Sequence, residues 1–199
     1  MPISFPNIQL VLASGSPRRQ QFFKDMGFEV LIRLKEVAEI YPDHLEGAAI
    51  PLFLADLKAK AFKDSLATNE LLITSDTIVW NKGQALGKPT NKASAVAMLE
   101  SMSAGSHEVH TAVCFSYQGQ QHFCTQETKV RFKELSDAEI NYYVDHYKPY
   151  DKAGAYGIQE WIGLIGITHI EGSYNNVVGL PTQLVYSELS KLLGTPELK

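Results

Sequence analysis

Cysteine is scarce in this chain, with Cys114 and Cys124 the only two. Two thiols with no export signal beside them read as reduced cysteines in cytosol rather than as a disulfide framework. No apolar run is long enough to cross a bilayer. The opening MPISFPNIQLVLA carries prolines and no cationic segment where a signal peptide needs its charged and apolar regions. Positive charge is also in short supply: 18 Lys and Arg against 22 Asp and Glu give a formal net charge of −4. That balance excludes a chain-wide basic field for nucleic acid, so a small anionic ligand needs a local basic pocket. No GxxxxGK[ST] loop, no His/Cys cluster with metal-ligand spacing and no Ser/His/Asp order for acyl transfer occurs. The six histidines form no HxxxH or HxH pair and read as structural or exposed.

What is present is an ordinary globular composition, 45% hydrophobic and 20% charged over 199 residues. This is enough for one filled domain spanning 1–199, or for one domain with two lobes. An apolar run breaks at Ser14-Gly15-Ser16-Pro17 into a helix from Arg18 to about Met26. Ser16 suits the N-cap, Pro17 the first helical position and Gly27 the stop. Backbone N–H groups, the positive end of the helix dipole and two guanidinium groups then meet at one spot, an anion site suited to phosphate.

Further along, Phe28–Leu34 reads as a strand and Pro51 opens a helical segment, LFLADLKAKAFKDSLA. Leu71–Trp80 reads as a buried strand interrupted at Ser75-Asp76 and reversed by an Asn81-Lys82-Gly83 turn. Lys92–Met102 is helical. His107–Tyr117 and His122–Leu135 form a hairpin, and Ser136 with Glu139 makes a capping box for a helix through His146. Lys148–Gln159 reads as a loop, Trp161–Ile170 as a strand, Asn175–Pro181 as a connection, and Thr182–Leu193 as a last helix closed by Gly194. Early alternation of strands and helices with an antiparallel middle predicts a mixed-sheet α/β domain.

Asp76 is the most informative single position. A carboxylate inside an apolar strand costs several kcal/mol unless it is paired or binds a cation. It is either a metal ligand or general base at a strand end, or a buried Asp satisfied by backbone amides at a bulge. With Lys58, Lys88, Glu39 and the arginines it suggests metal-assisted attack on a polyphosphate, with Mg²⁺ or Mn²⁺ on oxygen ligands.

Six motifs, LASGSPRR at 12–19, LAxxKA at 54–59, SDTIV at 75–79, GKP at 87–89, DKAGAYGIQ at 151–159 and NVVGLP at 176–181, lie in this order along nearly the whole chain. By them it resembles the Maf family of nucleoside triphosphate pyrophosphatases, first known as septum-formation proteins. The resemblance implies an elongated α/β fold with two lobes around a cleft, like that of inosine triphosphate pyrophosphatases. It also implies a homodimer, a divalent cofactor (Mg²⁺, Mn²⁺ or Co²⁺) and cleavage between the α and β phosphates. Carried over by motif, Asp76 is the proton acceptor; Ser14, Arg18, Lys58 and Lys88 hold the triphosphate; Glu39 joins Asp76 in holding the metal. Arg19 only supports the helix.

The resemblance further implies that Arg18, Thr77 and Gln159 set base choice. The branch preferring 7-methyl-GTP has Trp, Gln and Glu at the matching places, where an indole face suits a methylated cationic guanine and Glu accepts its N1 and N2 hydrogens. Gln159 offers one donor and one acceptor, which match the O4 and N3–H edge of uracil or thymine. The expected substrates are dTTP and UTP, ordinary or modified. Glu160 stands where this branch usually has Gly, which bears on access to the base pocket. The alternatives are a pyrophosphatase for other nucleotides such as 7-methyl-GTP, or a nucleotide-binding regulator of cell division without important catalysis.

Overall fold

Alternating apolar residues on β-branched runs, separated by helices with legible caps, produce a mixed α/β architecture in the computed structural model, which describes residues 3–198. The first elements are β1 (Ile3–Ser4), β2 (Gln9–Leu12), α1 (Pro17–Asp25), β3 (Val30–Ile32) and α2 (Ala49–Lys60). Then come β4 (Glu70–Asn81), β5 (Gln84–Leu86), α3 (Lys92–Met102), β6 (Ser106–Tyr117), β7 (Gln120–Phe132) and α4 (Asp137–Tyr147). A 3-10 turn at Ala153–Ala155 precedes α5 (Trp161–Gly166), β8 (Ile167–Glu171), α6 (Tyr174–Val178), α7 (Thr182–Leu193) and β9 (Glu197–Leu198). One sheet runs β3-β2-β4-β6-β7-β8 with β5 paired to β4, and β1 pairs antiparallel with β9. Among the described residues, no helix is long and apolar enough to cross a membrane.

The chain divides into two compact units. One holds the chain up to Asp76, Thr111–Gln126 and the chain from Gly179; the other holds Thr77–His110 and Glu127–Val178. In the first unit β2 is parallel to both neighbours, with Leu10 opposite Val30 on β3 and opposite Leu71 on β4. Its central strands β2 and β4 are buried on both faces, as parallel strands covered by helices are, while β3 at the edge leaves Leu31 and Ile32 exposed. Leu10, Leu12, Leu71, Ile73, Val113 and Phe115 pack with Phe23 of α1 and with Val185 and Leu189 of α7. Val11, Leu72, Ala112 and Cys114 point the other way, onto Ala55 and Ala59 of α2 and onto Phe62. The period-2 alternation of a strand thus assigns every even position of β4 in this unit to the α2 side.

The second unit packs Ala95, Leu99 and Met102 of α3 and Ile140, Tyr143 and Val144 of α4 against Val79, Val109, Val130 and Phe132. Asn91 and Ser136 cap these helices with complete capping boxes. β5 and β8 are both antiparallel to their partners. The turn from β4 to β5 uses Lys82 and Gly83 at φ 49° and 79°, and the one from β6 to β7 uses Gln118 and Gly119 at φ 48° and 77°. Paired left-handed residues of this kind are what a two-residue hairpin requires.

Four stretches depart from the sequence reading. β4 runs unbroken through Ser75-Asp76, with both residues buried. The helix containing Pro51 ends at Lys60; Phe62 and Ser65 continue as hydrogen-bonded turns with Phe62 plugged into the core. Trp161–Ile170 is not one strand but α5 followed by β8, since Ile162 goes into the core and Gly163 lies against the Ile158 carbonyl, where a Cβ would come within 1.9 Å of it. Asn175–Pro181 is not a plain connection: it contains most of α6, held by buried Asn176, whose amide donates to Val109 O and Thr128 Oγ1 at 3.0 Å each.

Candidate functional site

The alternation that buries Leu72 against α2 also orients the two even residues after it. Thr74 Oγ1 donates to Ala55 O at 2.7 Å, so this stretch of β4 is pinned to α2. Asp76 projects on the same side, and Lys58, three residues after Ala55 and one turn further along α2, meets it at 2.5 Å. The same ammonium lies 2.8 Å from Glu39 Oε1. Asp76 is 8% exposed, while the Glu39 side chain is 49% exposed, so the cluster is a buried carboxylate and a solvated one sharing a half-buried cation.

This donor set fits a hard divalent ion. Two carboxylates converge on one positive charge, and carboxylate oxygens are the ligands Mg²⁺ and Mn²⁺ take. The partner of Asp76 is a side chain, Lys58, rather than backbone amides.

The Ser14–Arg19 junction forms as its residue types require. Ser16 caps α1 by accepting from Arg19 N at 3.4 Å, Pro17 opens the helix, and Gly27 takes φ 81° after its last turn. Ser14 is buried, with its Oγ accepting from Ser16 N at 3.3 Å and its carbonyl from Gln20 Nε2 at 3.0 Å. The two arginines are unequal. Arg19 donates through Nε to Gly179 O at 2.8 Å and through Nη1 to Ser75 O at 2.9 Å, tying α1 to the residue before Asp76 and to the NVVGLP segment. Withdrawal of its guanidinium from water lowers its pKa, opposed by the Asp76 charge. Arg18 stands half-buried on the first turn.

In the second unit Thr77 follows Asp76 on β4 and is half-buried, Lys88 is exposed on the GKP turn, and Gln159 is exposed at the end of the DKAGAYGIQ loop. This loop is fixed from beneath. Gly154, at φ 67°, sits so close to Val79 that a Cβ would approach its side chain to 2.9 Å, and its N–H bonds Gly87 O at 3.0 Å, which links the loop to the GKP turn. Lys152 is buried and bridges Asp151 at 2.7 Å and Glu160 at 3.0 Å. Tyr143 OH donates to the second Glu160 oxygen and accepts from Gly157 N, and burial together with Glu160 pushes the phenol pKa up. Glu160 is therefore a buttress of the loop, turned toward Lys152 and Tyr143.

Tyr156, also in this loop, bonds His107 Nε2 at 2.8 Å. Burial pushes the His107 imidazole down to about 4. A histidine held neutral in the fold but free to charge when unfolded gives stability that is present above its unfolded pKa and is lost as pH falls toward the folded one. Urea unfolding at pH 7.5 and pH 5 should differ by about 2 kcal/mol from this group alone, and His107→Gln should remove that difference. Equal slopes for both proteins would mean that His107 charges freely in the fold.

One group escaped the sequence reading. On β6 and β7, Glu108, His110 and Glu127 each offer a ligand atom, and these atoms lie within 4.8 Å of one another, so they could hold a metal ion. The HxxxH and HxH patterns pair histidine with histidine, whereas the neighbours of His110 are glutamates: Glu108, two residues earlier on the same strand, and Glu127 on the next.

The family model described as Maf-like protein matches residues 9–192. The chain is 56% identical to the dTTP/UTP pyrophosphatase of Flavobacterium johnsoniae over 93% of this chain and 95% of that one. It is 52% identical to the dTTP/UTP pyrophosphatase of Christiangramia forsetii, covering 95% and 96% of the two chains. Among solved structures, that of the Staphylococcus aureus Ham1 protein is similar with a TM-score of 0.44 and 15% identity, covering 90% of this chain and 99% of that one.

Proposed function

The chain belongs to the Maf family, and from that premise we propose that it hydrolyses dTTP and UTP to the nucleoside monophosphate and pyrophosphate. The observation that carries the reading is the Lys58 ammonium shared by Asp76 at 2.5 Å and Glu39 at 2.8 Å, a cation and two carboxylates at the end of a buried strand segment. Relatives named dTTP/UTP pyrophosphatase at 48–56% identity support the substrate.

In this reading one Asp76 oxygen accepts a proton from the attacking water as the water oxygen bonds to the α phosphorus. The α–β anhydride bond breaks and its electron pair leaves with pyrophosphate. Lys58, released from one carboxylate, holds phosphate oxygens together with Ser14, Arg18 and Lys88. Glu39 and Asp76 would hold the divalent ion, Mg²⁺, Mn²⁺ or Co²⁺, which would supply charge neutralisation and a more acidic water. Gln159 meets the O4 and N3–H edge of the pyrimidine through its one acceptor and one donor, with Thr77 and Arg18 completing base choice. The acidic net charge and the two free thiols support work on free nucleotides in the cytoplasm, and family resemblance supports a homodimer.

A nucleotide panel with each metal tests reaction and base choice together. Wild type should release pyrophosphate fastest from dTTP and UTP. Gln159→Glu places a second acceptor against O4 and should lower pyrimidine kcat/KM by about 10–100-fold while improving guanine nucleotides, since one mispaired buried polar contact costs about 1–3 kcal/mol. Orthophosphate as the product would overturn the reaction. An unmoved base preference would overturn the role of Gln159, and nucleotide binding without turnover in any metal would favour a regulator.

A further inference from the structure

In the second unit, the sheet face turned away from α3 and α4 carries the side chains that alternate with Val109 and Val130, namely Glu108 and His110 on β6 and Glu127 and Lys129 on β7. His110 is only 4% exposed. Its Nε2 lies 3.0 Å from Glu108 Oε2, a good hydrogen bond. Its Nδ1 is buried without a hydrogen-bond partner and faces Glu127 Oε2 at 3.9 Å. A neutral imidazole has one N–H, and Glu108 claims it, so the Nδ1 lone pair points at a carboxylate across a gap too wide for a hydrogen bond. A buried lone pair facing the carboxylate of an exposed glutamate calls for a positive charge between them. Lys129 does not supply it, because its ammonium lies 3.9 Å from the other Glu127 oxygen.

A histidine with one nitrogen anchored on a carboxylate and the other open is the arrangement of a metal-ligating imidazole, whose second-nitrogen partner fixes tautomer and orientation. We propose that His110 Nδ1 and the Glu127 carboxylate bind a borderline divalent transition-metal ion of the Zn²⁺ or Co²⁺ class. Glu108 orients the imidazole, and water completes the sphere. An imidazole donor favours such ions over Mg²⁺. The site uses none of Asp76, Glu39 and Lys58, so it stands whether or not the hydrolase reading holds.

The test is calorimetric titration of the metal-free full chain with Zn²⁺, and in parallel with Co²⁺ followed by visible absorption, both without nucleotide. Wild type should bind one more equivalent than Glu127→Gln or His110→Gln, with a cobalt absorption band that both variants lose. Glu108→Gln should keep the stoichiometry but weaken binding by about 10–100-fold. Glu127 is exposed, so its variant keeps the fold even if a change at buried His110 does not; thermal melts check both. Equal stoichiometry and absorption in wild type and Glu127→Gln would overturn the proposal. So would nitrogen-15 spectra showing both His110 ring nitrogens protonated at neutral pH and unmoved by Zn²⁺, which means an imidazolium shared by two glutamates.

Discussion

Asp76→Asn is expected to lower turnover by about 10²–10⁴-fold, the usual worth of a positioned general base, while circular dichroism stays that of the wild type. Asn matches Asp in shape and can still accept from Lys58 through its amide oxygen, so the bond joining β4 to α2 survives. What it lacks is an oxygen basic enough to take a proton. It also removes a negative charge beside the place where phosphates must come, so KM for dTTP should stay level or fall as kcat collapses. Pyrophosphate release under saturating and limiting nucleotide separates the two parameters. Turnover within tenfold of wild type would remove Asp76 from the chemistry, and an unfolded variant would make it a structural residue.

Arg19→Met should cost roughly 3–5 kcal/mol, the range for breaking a buried charge arrangement by removing one partner. Methionine matches the aliphatic stem but leaves Ser75 O and Gly179 O without their donor and takes one positive charge away from the neighbourhood of Asp76, which keeps Lys58. Because Ser75 adjoins the carboxylate, turnover should fall with stability. Arg19→Lys keeps the charge but has one compact head where a fork spans two carbonyls, so it should recover part of the loss only. Urea midpoints for the three proteins decide this. A loss below about 1 kcal/mol for Met would mean that the two carbonyls find water or other donors.

The elements whose signals are local were legible in the sequence. The Ser16-Pro17 start of α1, the capping box at Ser136, and the α7 span closed by Gly194 all depend on residues within one turn of each other. Asp76 and Lys58 stood out because a carboxylate in an apolar strand and a lysine at the edge of an apolar helix face are locally expensive, and the structure brings them together. What could not be read were outcomes fixed by distant partners. α5 is rich in residues that favour strands, yet Ile162 finds a core position and Gly163 a carbonyl that only a helical path permits. The short helix around Asn176 depends on Val109 and Thr128, far away in sequence. Arg19 read as a support of its own helix alone because nothing local says that its guanidinium will meet Ser75 O and Gly179 O. His110 was invisible as a ligand because its carboxylate partner Glu127 comes from the next strand.

Gln159 has the position of a replaceable part. The residue before it, Ile158, is locked in the core, and the residue after it, Glu160, is clamped by Lys152 and Tyr143, while the Gln159 side chain itself is exposed. An exchange at this site leaves the backbone that presents it unmoved. With Gln159 in its proposed role of reading the base, a lineage carrying this loop can shift base preference at this position without a stability penalty to repair, and directed evolution aimed at unnatural pyrimidines should begin at this residue.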